Sequence, residues 1–308
     1  MTNKKAFSLI ELSIVILIIG ILVAGVTSSS RLIRAMKLIS AKQMTQSSPV
    51  LTIPDLLAWF EPTKEGIFGS GSAGTYTPLA NPDDGQRIAT WMDGNPRLVS
   101  GSQIVATQSS LTNQPLYVEN GMNGLPSLNF VDDDFLQYDD NIGGSIGATL
   151  FMVFKPHDYL TFRQTFMGGG INFSNSNPDG SKCLTLIHVN NTTWYGGWTS
   201  TNNISTYNTA SPSICRFLYR SGSFQTFTNG VSDTPQNIGS AQPLSRVDIN
   251  PPNYTKDTIG SNARAVDYQY NFHGYIGEII VYGRGLKNDE AIDVEKYLSK
   301  KWGVKLPY

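Results

Sequence analysis

The chain has 308 residues, of which 15 % are charged and 40 % hydrophobic, with 29 glycines and 16 prolines. Low charge and abundant turn formers favour an all-β extracytoplasmic protein over a helical cytosolic one, and the hydrophobic share is enough for a large core. The net charge of −1 conceals an asymmetry. Residues 1–50 carry six basic side chains against the single acid Glu11, and the remainder carries seventeen basic against twenty-three acidic. A basic apolar stem on a mildly acidic body with no basic run excludes nucleic acid as a partner held through its phosphates.

The first element is apolar. Phe7–Val26 is twenty residues long with one charge, Glu11. As a helix it would rise about 30 Å, the thickness of a bilayer core. Three readings fit: a membrane-spanning helix, a secretory signal peptide, or an anchor whose glutamate snorkels to the headgroups. The run is long for a signal peptide, and only Val26-Thr27-Ser28 imitates a cleavage site. Lys4 and Lys5 precede the run, while Arg31, Arg34, Lys37 and Lys42 follow it. A positive-inside count therefore places the C-terminal side in the cytoplasm, against export. Beyond the run, Leu32, Met36 and Ile39 recur at helical spacing without glycine or proline. The spacing predicts one helix over 8–46, roughly 60 Å long, ended by Ser47-Ser48-Pro49.

Lys4-Lys5-Ala6-Phe7-Ser8-Leu9-Ile10-Glu11 resembles the type IV prepilin motif: a short basic leader, a small residue at the cut, then Phe-x-Leu-Ile-Glu. The resemblance implies cleavage between Ala6 and Phe7 by a prepilin peptidase and methylation of the new Phe7 amine. Ala6 stands where glycine is usual. Ser28 stands where many major pilins carry a kinking proline, which points to a minor pilin or a secretion-system pseudopilin. It also implies a reason for a carboxylate in hydrocarbon, where a lone charge is costly. In a fibre, Glu11 of one subunit neutralises the Phe7 amine of its neighbour and sets the register of assembly. The implied organisation is a leader (1–6), a membrane and stalk helix (7–46), a linker (47–54) and a head (55–308). The precursor would be a single-pass protein of the bacterial inner membrane with its head exported, partnered by other pilin-like subunits.

From Leu51 the texture changes to short apolar runs between Gly, Asn, Asp, Ser and Pro clusters: 127–131, 149–154, 183–189, 215–220, 223–230 and 275–283. This predicts an all-β sandwich, with Asn229-Gly230 as a hairpin turn. One helix interrupts it, NDEAIDVEKYLSKKWG. Asn288 is the expected N-cap, Ala291, Val294, Leu298 and Trp302 form the packed face, Lys300 and Lys301 suit the C-terminal end, and Gly303 is the stop. Cys183 and Cys215 are as consistent with a disulfide as with two buried thiols.

The string FHGYIGEIIVYGRGL followed by that helix, with GLPSLNFVDDDFLQ and LLAWFEP upstream, resembles bacterial concanavalin A-like (laminin G-like) jelly rolls over about residues 51–308. The expected fold is therefore an all-β jelly-roll sandwich preceded by one long α-helix. Jelly-roll glucanases of that superfamily carry Glu-x-Asp-x-Glu on one strand, where period 2 aims the carboxylates into a cleft. Here Glu290, Asp293 and Glu295 have the wrong spacing and lie on the predicted helix, Glu278 stands alone, and no nucleophile elbow accompanies the three histidines. The chain is accordingly expected not to be an enzyme. Calcium is the one candidate cofactor: Asp132, Asp133 and Asp134, with Asp139-Asp140, offer oxygen ligands, against the plainer reading of a solvated acidic turn. Trp194, Tyr195 and Trp198, among Asn190, Asn191, Asn202 and Asn203, are the candidate surface for carbohydrate, against rings that alternate into the core.

Overall fold

The computed structural model describes residues 9–72, 74–98, 103–138, 147–157, 210–220, 223–232, 257–261 and 271–308, together with the backbone of short strands between 164 and 246. Helix α1 spans Leu9–Gln46, 38 residues or roughly 57 Å at 1.5 Å per residue. It ends where Pro49 opens a short 3-10 turn, Pro49–Leu51. Among the described residues no helix is long and apolar enough to cross a membrane. The unbroken run of described side chains in the apolar part of α1 is Leu12–Val23, all exposed and roughly 18 Å long. Phe7 and Ser8, and the side chains of Glu11 and of residues 24–26, lie outside the described residues, which therefore cover only part of the expected span over Phe7–Val26.

Among the described residues the head is built on two large antiparallel sheets and one two-stranded sheet, Ile171–Asn172 with Ser245–Arg246. The first has nine strands. Its central strand, Gly274–Tyr282, pairs along one side with Gly147–Pro156, which in turn pairs with Ser213–Arg220. The next strand, Ser223–Thr228, follows by hairpin. The expected turn lies just beyond it: Asn229 (φ 51°) and Gly230 (φ 80°) both take the left-handed region that a two-residue hairpin demands. On its other side the central strand has two partners in succession, Leu125–Phe130 beside residues 274–276 and Leu56–Phe60 beside residues 279–282. The second sheet has ten strands, with Leu136–Tyr138, Asp257–Ile259 and Gln164–Gly168 in its middle.

Two cores follow from this layering. Side chains between the sheets form the first, including Phe60, Trp91, Phe130, Leu150, Phe154, Phe217, Ile276 and Ile279. The second lies on the outer face of the nine-stranded sheet, under helix α2 (Asn288–Trp302). It contains Leu56, Trp59, Phe151, Ile280 and Tyr282 from the sheet, with Val294, Leu298 and Trp302 from α2. Ala41 at the end of α1 and Val50 of the following turn are fully buried in the same core. The expected linker therefore packs into the head.

Helix α2 has the expected packed face, but its cap differs. Lys287 is the N-cap, and Glu290 reaches back to accept its backbone N–H at 2.9 Å while pairing with Arg284 at 2.7 Å. That pairing holds the Glu290 carboxyl down to about 2, through the Arg284 hydrogen bonds first. Gly303 stops the helix in the left-handed region (φ 70°), as expected.

The central strand carries one extra residue. Ile276 and Ile279 face Phe154 and Met152, so three steps on this strand match two on its neighbour, a β-bulge at Gly277-Glu278. Strict alternation from Ile276 would aim Glu278 between the sheets. The bulge turns it to the outer face, toward α2. A Cβ on Gly277 would lie 2.7 Å from Met122 Cε and 2.7 Å from the Trp302 ring. Gly277→Ala should therefore destabilise the head by about 1–3 kcal/mol, read as a lowered denaturation midpoint with unchanged slope.

Candidate functional site

The densest polar arrangement among the described residues is buried where α1 enters the head. Glu278, fully buried, receives four donors. Trp59 Nε1–H and the Tyr297 hydroxyl donate to Oε1, each at 2.7 Å. Lys301 Nζ and Trp302 Nε1–H donate to Oε2, each at 2.9 Å. Lys301 is itself buried and donates also to Glu61 Oε1 and, at 2.8 Å, to Thr45 Oγ1 of α1. Glu61 Oε1 further accepts the Thr63 backbone N–H at 3.1 Å and the Thr63 hydroxyl at 2.6 Å, whereas the buried Glu61 Oε2 accepts no hydrogen bond. Every member has a local cause. The strand Leu56–Phe60 delivers Trp59 and, one residue past its end, Glu61. The bulge delivers Glu278, and i, i+4 spacing on α2 stacks Tyr297 beneath Lys301.

Burial alone would pull the Lys301 ammonium down, but the charges of Glu278 and Glu61 outweigh it and hold the amine above its ordinary value. Burial, with the same two carboxylates, keeps the Tyr297 phenol well above its own. The sequence expectation places Lys301 at the C-terminal end of the helix and leaves Glu278 alone; each is the other's partner. The sequence hint was the apolar flank of each, YIGEIIVY around Glu278 and Leu298 with Trp302 around Lys301.

Beside the network a cleft of about 430 Å³ opens between the last turns of α1 and the head, lined by Lys42, Gln46, Trp59, Glu61 and Lys64 among others. Lys42 closes one side through an ion pair with Glu65 at 2.6 Å. Higher on the stalk, Arg34 approaches Glu119 at 3.8 Å and Lys37 donates to the Asn123 carbonyl at 3.4 Å. Nearby, Asp93 accepts the backbone N–H groups of Trp59 and Asn95, each at 2.8 Å. Burial nonetheless pushes its carboxyl up to about 6.

Of the sequence candidates, Ala6 and Phe7 lie outside the described residues, and Glu11 is described only as backbone in the first turns of α1. Trp194 and Tyr195 fall on the strand Thr193–Gly196, whose side chains are outside the described set, as is all of Trp198. Cys215 is buried and Cys183 is outside the described residues. The three calcium candidates differ in burial. Asp132 and Asp133 are exposed and Asp134 turns inward, accepting the Val131 backbone N–H at 3.0 Å beside Arg87. Asp133 accepts from the Asn271 amide at 3.0 Å, and among the described residues no group of three such side chains could hold a metal. Asp139 and Asp140 lie outside them.

Residues 1–27 match the family described as the prokaryotic N-terminal methylation motif. This supports a pilin-like precursor and fits the membrane-anchored N-terminus of type IV pilins. No curated protein matches the chain. Among solved structures, it is similar to Trypanosoma rangeli sialidase, with 11 % identity, TM-score 0.50, and coverage of 80 % of this chain and 33 % of that one. A second sialidase structure from that organism, with the inhibitor DANA, has 10 % identity, TM-score 0.49 and coverage of 85 % and 38 %. Domain 4 of a GH43 extracellular arabinanase from Geobacillus stearothermophilus, in complex with arabinotriose, has 17 % identity, TM-score 0.43 and coverage of 78 % and 98 %. The chain thus spans about a third of the sialidase chains, and what it shares is a β-sandwich fold, not specifically a concanavalin A-like one. The expectation that the chain is not an enzyme is corrected by this comparison. A structure with this fold bears the name of a sialidase, so the missing Glu-x-Asp-x-Glu strand does not exclude catalysis.

Two outcomes are expected. Lys301→Met leaves Glu61 and Glu278 buried without their cation and should cost about 3–5 kcal/mol in chemical denaturation. For Asp93, the folded carboxyl titrates at about 6, above its ordinary 3.8. The folded state holds the extra proton between those values, so this group's contribution to stability is present at low pH and is lost as pH rises through 6. Asp93→Asn should remove that fall from a plot of melting temperature against pH over this window.

Proposed function

We propose that the chain is a minor pilin or pseudopilin, built as a leader (1–6), a membrane and stalk helix (7–46), a linker (47–54) and a head (55–308). The observation that carries this is the methylation motif over residues 1–27, which includes the Ala6–Phe7 junction and Glu11. In this reading a prepilin peptidase cuts between Ala6 and Phe7, the Phe7 amine is methylated, and the apolar start of α1 anchors the precursor in the bacterial inner membrane. Glu11 then pairs with the Phe7 amine of a neighbouring subunit, because a carboxylate and an ammonium in hydrocarbon are tolerable together and costly apart. The exported head is heavy for a repeating subunit, which favours a low-copy or tip position in a type IV pilus or secretion pseudopilus.

The finer reading of the head is a concanavalin A-like, laminin G-like jelly roll that recognises surface carbohydrate, with Trp194, Tyr195 and Trp198 offering flat rings to sugar C–H faces. Its support is the sequence resemblance over 51–308, together with a sandwich fold shared with a sialidase.

N-terminal sequencing and intact mass of the protein extracted from its host's membranes test the processing. The expected chain begins at Phe7 and carries one added methyl group. A chain beginning at Met1 would leave a tethered binding domain without fibre assembly. Glu11→Ala should be cleaved normally yet fail to enter sheared fibres.

A further inference from the structure

The buried Lys301 network contains the parts of an amide-forming site. We propose that Lys301 and Glu61 condense into an intramolecular isopeptide bond, with Glu278 carrying the protons. The nucleophile is Lys301 Nζ, held against Glu61 Oε1 and 2.9 Å from Glu278 Oε2. The electrophile is Glu61 Cδ. Its two oxygens differ in a way the reaction requires. Oε1 accepts two donors from Thr63, the N–H at 3.1 Å and the hydroxyl at 2.6 Å, as the oxygen of a tetrahedral intermediate would. Oε2 is buried and accepts none, so nothing tethers it as a leaving group.

The balance is that of a condensation. Two of the three Nζ protons pass by way of Glu278 to Glu61 Oε2. The Nζ lone pair forms the C–N bond, the Cδ–Oε2 bond breaks, and Oε2 departs as water with both protons. Oε1 becomes the amide carbonyl, the third Nζ proton becomes the amide N–H, and Glu278 returns to its starting ionisation. No oxidant, reductant or cofactor takes part.

In water an ionised amine and carboxylate stay apart, because hydration favours both charges. Here neither is hydrated, Lys301 and Glu61 both being buried, and the ammonium that the two carboxylates favour becomes a nucleophile only once it has passed a proton to Glu278. Condensation removes an ion pair whose desolvation the fold otherwise bears, and fixed reacting groups can act at effective concentrations on the order of 10⁵ M or more. Trp59, Tyr297 and Trp302 surround the pair, and each places its polar hydrogen on Glu278, which orients the shuttle. The resulting bond would join residues 240 positions apart, at the point where Thr45 of the stalk also touches Nζ.

Peptide mapping of the full-length protein by mass spectrometry is the test. The expected result is a branched peptide joining the segments around Glu61 and Lys301, lighter by one water than their sum. Recovery of wild-type Glu61 and Lys301 only in separate peptides overturns the proposal. Glu278→Gln, which cannot shuttle protons and whose amide NH2 must face two of the four donors, should give only the separate peptides. A branched peptide in that variant overturns the role given to Glu278. Lys301→Arg should give no branched peptide, and one appearing there would overturn the assignment of the nucleophile. The readout does not depend on cleavage at Ala6 or on fibre assembly, so it stands or falls apart from the proposed function.

Discussion

A single buried ammonium organises the outer half of this head. Lys301 cannot sit beneath α2 unless Glu61 and Glu278 sit there too, and those carboxylates cannot be buried without it. Glu278 in turn requires the indole N–H groups of Trp59 and Trp302 and the Tyr297 hydroxyl, which with Lys301 fill all four acceptor positions around its two oxygens. The contributors come from the strand Leu56–Phe60 and its exit, the central strand, helix α2 and, through Thr45, helix α1. Apolar packing alone would let α2 rotate or slide over the sheet at modest cost. A buried network of charges and directed hydrogen bonds admits few arrangements, so here it sets the placement of the helix.

That placement determines how the stalk meets the head. Ala41 is buried in the same core as Trp302, and Thr45 touches Lys301. The stalk therefore ends inside the head's second core rather than on a flexible connection. Lys42 with Glu65 and Arg34 with Glu119 are solvent-exposed pairs of the kind worth little each, so they trim the approach of the helix without fixing it. The fixing is done by burial and by the network.

Much of this was legible in the sequence. The length of α1 followed from 38 residues without proline, and the strands followed from short β-branched and aromatic runs between turn residues. The packed face of α2 followed from i, i+3, i+4 spacing. What stayed hidden was the pairing of Lys301 with Glu278. Their proximity depends on a β-bulge, and YIGEIIVY is apolar on both sides of Glu278, so alternation could not show which face the glutamate takes. The cap of α2 was missed by one residue because Glu290 serves Lys287 through a backbone bond, and a side-chain preference does not encode that. In the Asp132–Asp134 cluster, adjacency in sequence could not show that Asp134 turns inward to accept a backbone N–H.

The bulge, the glycine and the change of neighbour on the central strand belong together. Leu125–Phe130 pairs with it as far as Ile276, and Leu56–Phe60 takes over from Ile279. Gly277 and Glu278 fall in the interval where neither neighbour is in register, the place at which a sheet is ordinarily weakest. Gly277 leaves room there for the Trp302 ring, and Glu278 reaches out to that indole, to Trp59 and to Lys301. Side chains from α2 and the strand Leu56–Phe60 therefore bridge the sheet where the ladder is interrupted. Thr45 of α1 touches the same bridge through Lys301 Nζ, so the end of that helix is tied to the interval between the strands Leu56–Phe60 and Leu125–Phe130.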